Sequence, residues 1–410
     1  MGYQQGLSGL AASSNDLDVI GNNIANANTV GFKQSTAQFA DVYANTIATS
    51  VGNQIGLGAS LQTVQQDFSQ GTINTTGQAL NVAINGNGFF QMSNNGTVTY
   101  SRNGVFQLDK NGFITDASGN DLMGYAAGAN GVINSAQTVP LQVPTTNIAP
   151  VATSTITAQV NLNAQATTIP ATSTFNPNDS TTYSYSTSIT GYDSLGGKQQ
   201  INLYYVQTAT GTAEVYGGVA GGTMTDLGAM NFGTSGTLTG TSGTNAGANN
   251  TFNLTINPTD GSATNQQITI DVSGTTQYGS ANGVNNLAQD GYPSGTLSNF
   301  SIGADGTITG NYSNGQTMAL GQIVLANFNN PNGLANLGGN QFQQTAASGA
   351  AQVSTPGSTN HGSLTGGALE SSNVDLTNQL VDLITAQRNY QANAQTIKTQ
   401  QTVDQTLLQM

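Results

Sequence analysis

Residues 368–410 read ALESSNVDLTNQLVDLITAQRNYQANAQTIKTQQTVDQTLLQM, free of glycine and proline in a 410-residue chain that holds 52 glycines and 9 prolines. Within this run Leu369, Leu376, Leu383, Tyr390 and Ile397 recur at intervals of seven, and Leu380, Ala394 and Leu408 fill a second row. That period belongs to a helix with one apolar seam, so the stretch predicts a long C-terminal α-helix. Asn373 reads as its N-cap, and Asp375 stands in the first turn, where the helix dipole favours an acid. A helix reaching about Leu408 would be roughly 50 Å long. Its remaining surface is Gln, Asn, Thr and Ala, which suits a helix packed on several sides.

The other end repeats the pattern. Tyr3, Leu10, Leu17 and Ile24 also step by seven, with Leu7 and Ile20 beside them. Gly6, Gly9 and Gly21 each weaken an isolated helix by roughly 1 kcal/mol relative to Ala, so this N-terminal helix needs a partner. The expected partner is the C-terminal helix. The two would form a coiled-coil pair, partly disordered in a lone molecule and completed by its copies.

Between the ends, short apolar runs alternate with Asn-Gly steps, which supply the positive φ angles of tight hairpins. Strands are predicted at Leu80–Ile84, Phe89–Met92, Thr97–Ser101 and Val105–Leu108, with turns at 85–88, 94–96, 103–104 and 109–112. A second block holds Leu297–Ile302, Thr307–Tyr312 and Met318–Phe328. Residues 150–290 are richer in Thr, Gly and Ala. Strands are predicted there at Tyr183–Tyr192, Gln199–Gln207, Thr251–Ile256 and Gln267–Val272, with Thr234–Asn250 as surface loop. The expected fold is mainly β with terminal α-helices and nested, barrel- or sandwich-like β-domains. Residues 1–70 and 365–410 would form a helical polymerisation domain, 71–147 and 290–364 an inner β-domain, and 148–289 an inserted outer β-domain.

Composition removes whole classes of function. Only 6% of residues are charged, against about 25% in a typical soluble domain. Surfaces that pack against many copies of themselves favour such a composition, because a repeated charge meets its own image. The formal charge is -13, and the six cations (Lys33, Arg102, Lys110, Lys198, Arg388 and Lys398) stand singly, so nucleic acid and anionic membrane are poor partners. The absence of cysteine excludes disulfides, thiolate metal sites and thiol nucleophiles. No run approaches the ~20 apolar residues of a membrane span, so membrane insertion is not expected. Residues 1–32 hold no Lys or Arg and no continuous apolar core, so no cleavable secretory signal is expected.

Several stretches together resemble a known family. Gly6-Leu7-Ser8-Gly9-Leu10, Asp18 through Asn26 (DVIGNNIAN) and Val30-Gly31-Phe32-Lys33 resemble the N-terminal signature of the rod-and-hook family of bacterial flagellar axial proteins. Asn373-Val374-Asp375-Leu376, Gln379-Leu380-Val381 and Ala386 through Asn393 (AQRNYQAN) are similar to that family's C-terminal signature. Val82 through Phe90, Tyr100 through Gly104, Gly291 through Gly295 and Asn327 through Leu334 also match. The large insert and the Gly291–Gly295 block favour the hook branch over the shorter rod proteins. The resemblance implies a homopolymer that forms a curved, flexible tube joining rod to filament and transmitting torque. It implies as partners the rod, hook-cap and hook–filament junction proteins and the flagellar type III export apparatus. The location implied is the extracellular hook, reached without a cleaved signal peptide, with no cofactor and no catalysis. Two other readings fit parts of the sequence: a distal rod subunit forming a straight tube, and a secreted β-rich adhesin acting through the insert.

The residues expected to carry function are therefore assembly residues. They are Leu7, Leu10, Leu17, Ile20 and Ile24 on the first helix and Leu376, Leu380, Leu383, Tyr390 and Ile397 on the second. Asn22, Asn23 and Asn26 join them as amides able to fix the register of packed helices. No catalytic, cofactor or metal residue is expected. His361 stands alone in a Gly/Ser/Thr loop, Asp116–Asp121 lacks the spacing of a calcium loop, and Gly86-Asn87-Gly88 lacks the third glycine of a nucleotide loop. Val30–Lys33 reads either as an assembly contact or as the cap of the first helix through Gly31. Arg388 reads as a cation for an acid on another copy or as an exposed one.

Overall fold

A computed structural model describes residues 2–42, 56–170 and 172–408. The two ends are helical: α1 is Gly2–Ala25 and α2 is Leu376–Leu408. The side chain of Leu408, assigned above to the second row, lies outside the described residues. Helix α2 starts on Asp375, whose Oδ1 accepts the backbone N–H of Thr377 (2.9 Å) and of Asn378 (3.3 Å). The cap is therefore Asp375 and not Asn373. Gly31 is no cap either: α1 ends at Ala25, and Gly31, at φ 70°, lies directly against the Arg102 backbone. After α1 comes β1, Ser35–Val42, paired antiparallel with β2, Gly58–Gln66, and both strands lie on α1.

The chain forms two compact units. The first comprises Met1–Thr145, Asn299–Asn311 and Thr317–Met410, so the helix pair and the inner strands belong to one body. Its large sheet has 13 strands, on a path running through 297–302, 307–312, 317–323, 121–126, 89–94, 97–101, 341–343 and 335–338. Asn95 and Gly96, both at positive φ, close the hairpin between Phe89–Asn94 and Thr97–Ser101 as their dipeptide predicts. The Asn-Gly steps at 85–88 and 103–104 do not close hairpins. Val82–Asn85 pairs instead with Ser363–Gly366, and Ile73–Thr75 with Ala368–Glu370. The returning C-terminal segment thus completes the N-terminal strands, a partnership local turn chemistry cannot reveal. An aromatic cluster of Phe68, Phe89, Tyr100, Phe328 and Phe342, mostly edge to face, fills one side of the unit.

The second unit is Thr146–Ser298 with Tyr312–Gln316, and the insert expected at 148–289 lies within it. Two five-stranded sheets build it, one of them 185–192, 198–209, 212–219, 225–232 and 238–242 in order. Ile156, Val160, Phe252, Leu254 and Ile270 from one sheet meet Ile201, Leu203, Tyr205, Val215 and Leu227 from the other in a closed core. This is a sandwich, and it explains the alternating burial along Thr251–Ile256. Leu238–Ser242 is a strand, not the loop expected over 234–250; its Thr and Gly residues pair at the sheet edge.

Candidate functional site

Helices α1 and α2 run antiparallel: Gly6 sits beside Ile397, Gly9 and Ser13 beside Asn393, and Asn23 beside Gln379. Their seam is made of small and amide residues. A Cβ on Gly6 would lie 2.9 Å from Ile397, and one on Gly9 would lie 2.8 Å from the Asn393 amide, so glycine sets the approach of the helices. Gln379, Ala386, Asn393 and Gln400 step by seven along α2; Gln379 and Ala386 are buried and the other two half-buried. Asn23 is buried where three elements meet. Its Nδ2 donates to Ser35 O (2.8 Å) and to Gln379 Oε1 (3.0 Å), and its Oδ1 accepts from Ser35 N (2.9 Å). Asn26, just past the end of α1, instead donates back to Asn22 on that helix, and Asn22 is exposed.

The leucine series expected to form the seam divides between two faces. Ile20 is buried, and Leu10, Leu17, Ile24, Leu383 and Ile397 are half-buried. Leu7, Leu376, Leu380 and Tyr390 are exposed, and so are Tyr3, Val381 and Ile384. Leu376, Leu380, Val381 and Ile384, each between 45% and 58% exposed, form an outward ridge on the first turns of α2. The intramolecular seam therefore runs beside the predicted stripe. Sequence periodicity ranked side chains by apolarity, whereas the close approach of the two backbones selects small ones. The missed members were Gly6, Gly9 and Ser13, which join the expected Ile20 and Asn23 in one series at coiled-coil spacing.

The helix pair is attached to the sheet through three charges. Glu370, just before α2, meets Lys33, just after α1, at 2.7 Å and Arg102 at 3.2 Å, with all three side chains at most 3% exposed. Lys33 Nζ also donates to Ser69 O (2.6 Å), Arg102 Nη2 to Gly86 O (2.8 Å), and Gly71 N to Glu370 Oε1 (2.9 Å). Arg102 stands 5.5 Å over the Phe89 ring. Asn373 sews the same junction, accepting from Gln34 N (2.7 Å) and donating to Asp67 O (2.9 Å). Burial, then Arg102, push the Lys33 ammonium below its ordinary range, while Glu370 pulls it back. The sequence held a hint: in a chain this poor in charge, Lys33 and Arg102 both fall inside the quoted motifs. Their carboxylate comes from the far end of the chain.

A cleft of about 260 Å³ opens between α1, β1 and α2, and both Asp16 and Asp382 line it. Burial and then the Asp382 charge push the Asp16 carboxyl above the usual range. A carboxyl raised in the folded state supports the helix pair fully below its unfolded pKa, and that support is lost as pH rises through the folded pKa. Asp16→Asn should therefore raise the thermal midpoint of helix loss at neutral pH. Its advantage over the wild type should shrink as pH falls toward about 4. Circular-dichroism melts between pH 3 and 8 measure this, and parallel curves at every pH would refute it.

Among the described residues no cluster of three or more metal-ligating side chains occurs, and no helix is long and apolar enough to cross a membrane. The first unit thus carries two paired terminal helices that leave apolar side chains outward. Four family models match in chain order: Flagella basal body rod protein over 4–33, Flagellar hook protein FlgE/F/G D1 domain over 83–172, Flagellar basal body protein FlaE D2 domain over 161–292, and Flagellar basal body rod FlgEFG protein C-terminal over 365–410. The flagellar hook proteins FlgE of Salmonella typhimurium and Escherichia coli are each 41% identical, with the whole of both chains covered. That of Treponema pallidum is 33% identical over 99% of this chain and 98% of its own. The crystal structure of Helicobacter pylori hook protein FlgE2 shares the fold, with a TM-score of 0.51 and 14% identity over 73% of this chain and 100% of that one. The chain belongs to the flagellar hook protein family, which favours neither the distal rod subunit nor the adhesin.

Proposed function

We propose that this hook subunit assembles by burying the outward faces of its paired terminal helices against neighbouring copies. The observation that carries this reading is the ridge of Leu376, Leu380, Val381 and Ile384, left in solvent although the helix already has a partner within its own chain. Exposed apolar side chains in a row mark an interaction surface. With α1 contributing Tyr3 and Leu7, both helices offer such a face, so each copy can contact several others. The polar, weakly charged β-units would form the outer layers and slide past one another at small cost as the tube bends. The resulting polymer is a curved tube that joins rod to filament and transmits torque. Its partners are the rod, cap and junction proteins and the type III export apparatus, through which it leaves the cell. It is a structural part and not an enzyme.

Removing residues 376–410, or 2–25, should abolish polymerisation while both β-rich units keep their strand signature. Sedimentation with electron microscopy reads the first effect and circular dichroism the second. Normal tubes from either truncated chain would overturn the mechanism.

A further inference from the structure

An asparagine followed by glycine can modify itself, because the glycine nitrogen, unshielded by any Cβ, reaches the asparagine Cγ. The fold decides where that attack is free: a hydrogen bond held by the attacking N–H or by the side-chain amide must break first. The chain has nine Asn-Gly steps. In four of them the N–H of Gly112, Gly131, Gly315 or Gly333 closes a turn onto the carbonyl three residues back, at 2.9 to 3.1 Å. Gly86 N donates to Gln70 Oε1 (2.9 Å), and Gln70 Nε2 returns to Asn85 Oδ1 (3.3 Å). The side chains of Asn95, Asn103 and Asn282 are engaged by Asn94 Oδ1, Val105 N and Asn163 N.

Asn87-Gly88 is the exception. Among the described residues neither the Asn87 side chain nor the Gly88 N–H makes a hydrogen bond, and Asn87 is exposed. The chain on either side is pinned: Val82–Asn85 pairs with Ser363–Gly366, Phe89 pairs with Ala326, and Asn87 O accepts Gly362 N at 2.7 Å. Gly88 stands at φ 127°, which favours glycine, with Leu325 packed where a Cβ would point. Gly88 is buried, but an amide without an acceptor forfeits no bond by turning onto Cγ.

We propose that Asn87 is a site of spontaneous self-modification in the folded subunit. Gly88 N bonds to Asn87 Cγ, the Cγ–Nδ2 bond breaks, and the Gly88 proton leaves with the amide as ammonia, by way of solvent. Water then opens the resulting succinimide at either carbonyl, leaving aspartate or isoaspartate at 87. Water is the sole co-reactant. Either product adds a negative charge to a chain in which only 6% of residues are charged. Isoaspartate also adds a methylene to the backbone between two paired segments. It should therefore loosen the bond from Gly362 N to Asn87 O and the return of 363–366 onto 82–85.

The test is peptide mapping by mass spectrometry of the full-length chain held in mildly alkaline buffer, which reads the gain of about 1 Da as amide becomes acid. The same chain in urea, where these bonds are gone, gives the reference rate for each local sequence. A hydrogen bond that must open first slows attack by roughly two- to tenfold, so the folded-to-urea rate ratio at Asn87 should exceed the others by at least about twofold. Gln70→Ala, at an exposed side chain, removes both bonds from the Asn85 step and should raise the Asn85 ratio several fold with the strand spectrum unchanged. Asn332 is the internal control, since it is also exposed but Gly333 N is bonded. An Asn87 ratio no higher than that of Asn332 overturns the proposal, and so does an Asn85 ratio that Gln70→Ala leaves unchanged.

Discussion

Replacing Glu370 by Gln should destabilise the first unit by about 3–5 kcal/mol, the usual result of leaving buried charge uncompensated. Lys33 and Arg102 are both nearly inaccessible and share this one carboxylate, so a single substitution strands two cations. The amide still accepts Gly71 N through its oxygen, and the loss is therefore electrostatic more than steric. Replacing all three charges together, as Lys33→Met, Arg102→Met and Glu370→Leu, leaves no stranded charge. An apolar core in place of a buried ion cluster is often neutral or stabilising. Here, however, Ser69 O, Gly86 O and Gly71 N would each lose a partner, at about 1–3 kcal/mol apiece if left unsatisfied. Hydrogen exchange with mass spectrometry reads the two units separately. Protection should fall around residues 31–34, 69–71 and 102–104 in Glu370→Gln and stay at wild-type level in the 146–298 sandwich. Unaltered exchange at the junction would mean that the cluster does not hold the termini to the sheet.

The larger effect on assembly should come from Leu380→Asp combined with Ile384→Asp. In the lone chain both side chains are about half exposed, so the monomer should change by no more than roughly 0.5 kcal/mol per site. In the polymer each new carboxylate would enter an apolar contact with no cation to meet it. The outer surface of α2 carries only Arg388 and Lys398 as positive groups. Burying an unpaired charge costs several kcal/mol, and each 1.4 kcal/mol is a factor of ten in an equilibrium constant. The critical concentration for assembly should therefore rise by at least about a hundredfold, measured by sedimentation at increasing protein concentration. Leu383→Asp makes the control, because Leu383 is half-buried beside the seam and should disturb the monomer as well. If the double variant polymerises at the wild-type concentration, the ridge is not the surface that copies bury.

These two experiments probe different kinds of information. Of the ridge, Leu376 and Leu380 were legible in the sequence as apolarity at helical spacing, whereas Val381 and Ile384 were not among the expected positions; both helices and the hairpin at Asn95-Gly96 follow from local residue chemistry. Periodicity reports which side chains avoid water, but it does not say whether a neighbour in the same chain or another copy will cover them. Leu376 and Leu383 fall on one predicted row, yet Leu376 is exposed and Leu383 is half-buried.

The sequence by itself determined that both ends are long helices with an apolar seven-residue repeat, flanking glycine-punctuated strands, because helix and turn preferences act over a few residues. Only the tertiary structure decided that glycine and amide groups form the helix seam and that Glu370 neutralises Lys33 and Arg102. The physical reason is distance along the chain. Backbone approach and charge pairing join residues hundreds of positions apart, and no local preference records which distant atoms will arrive.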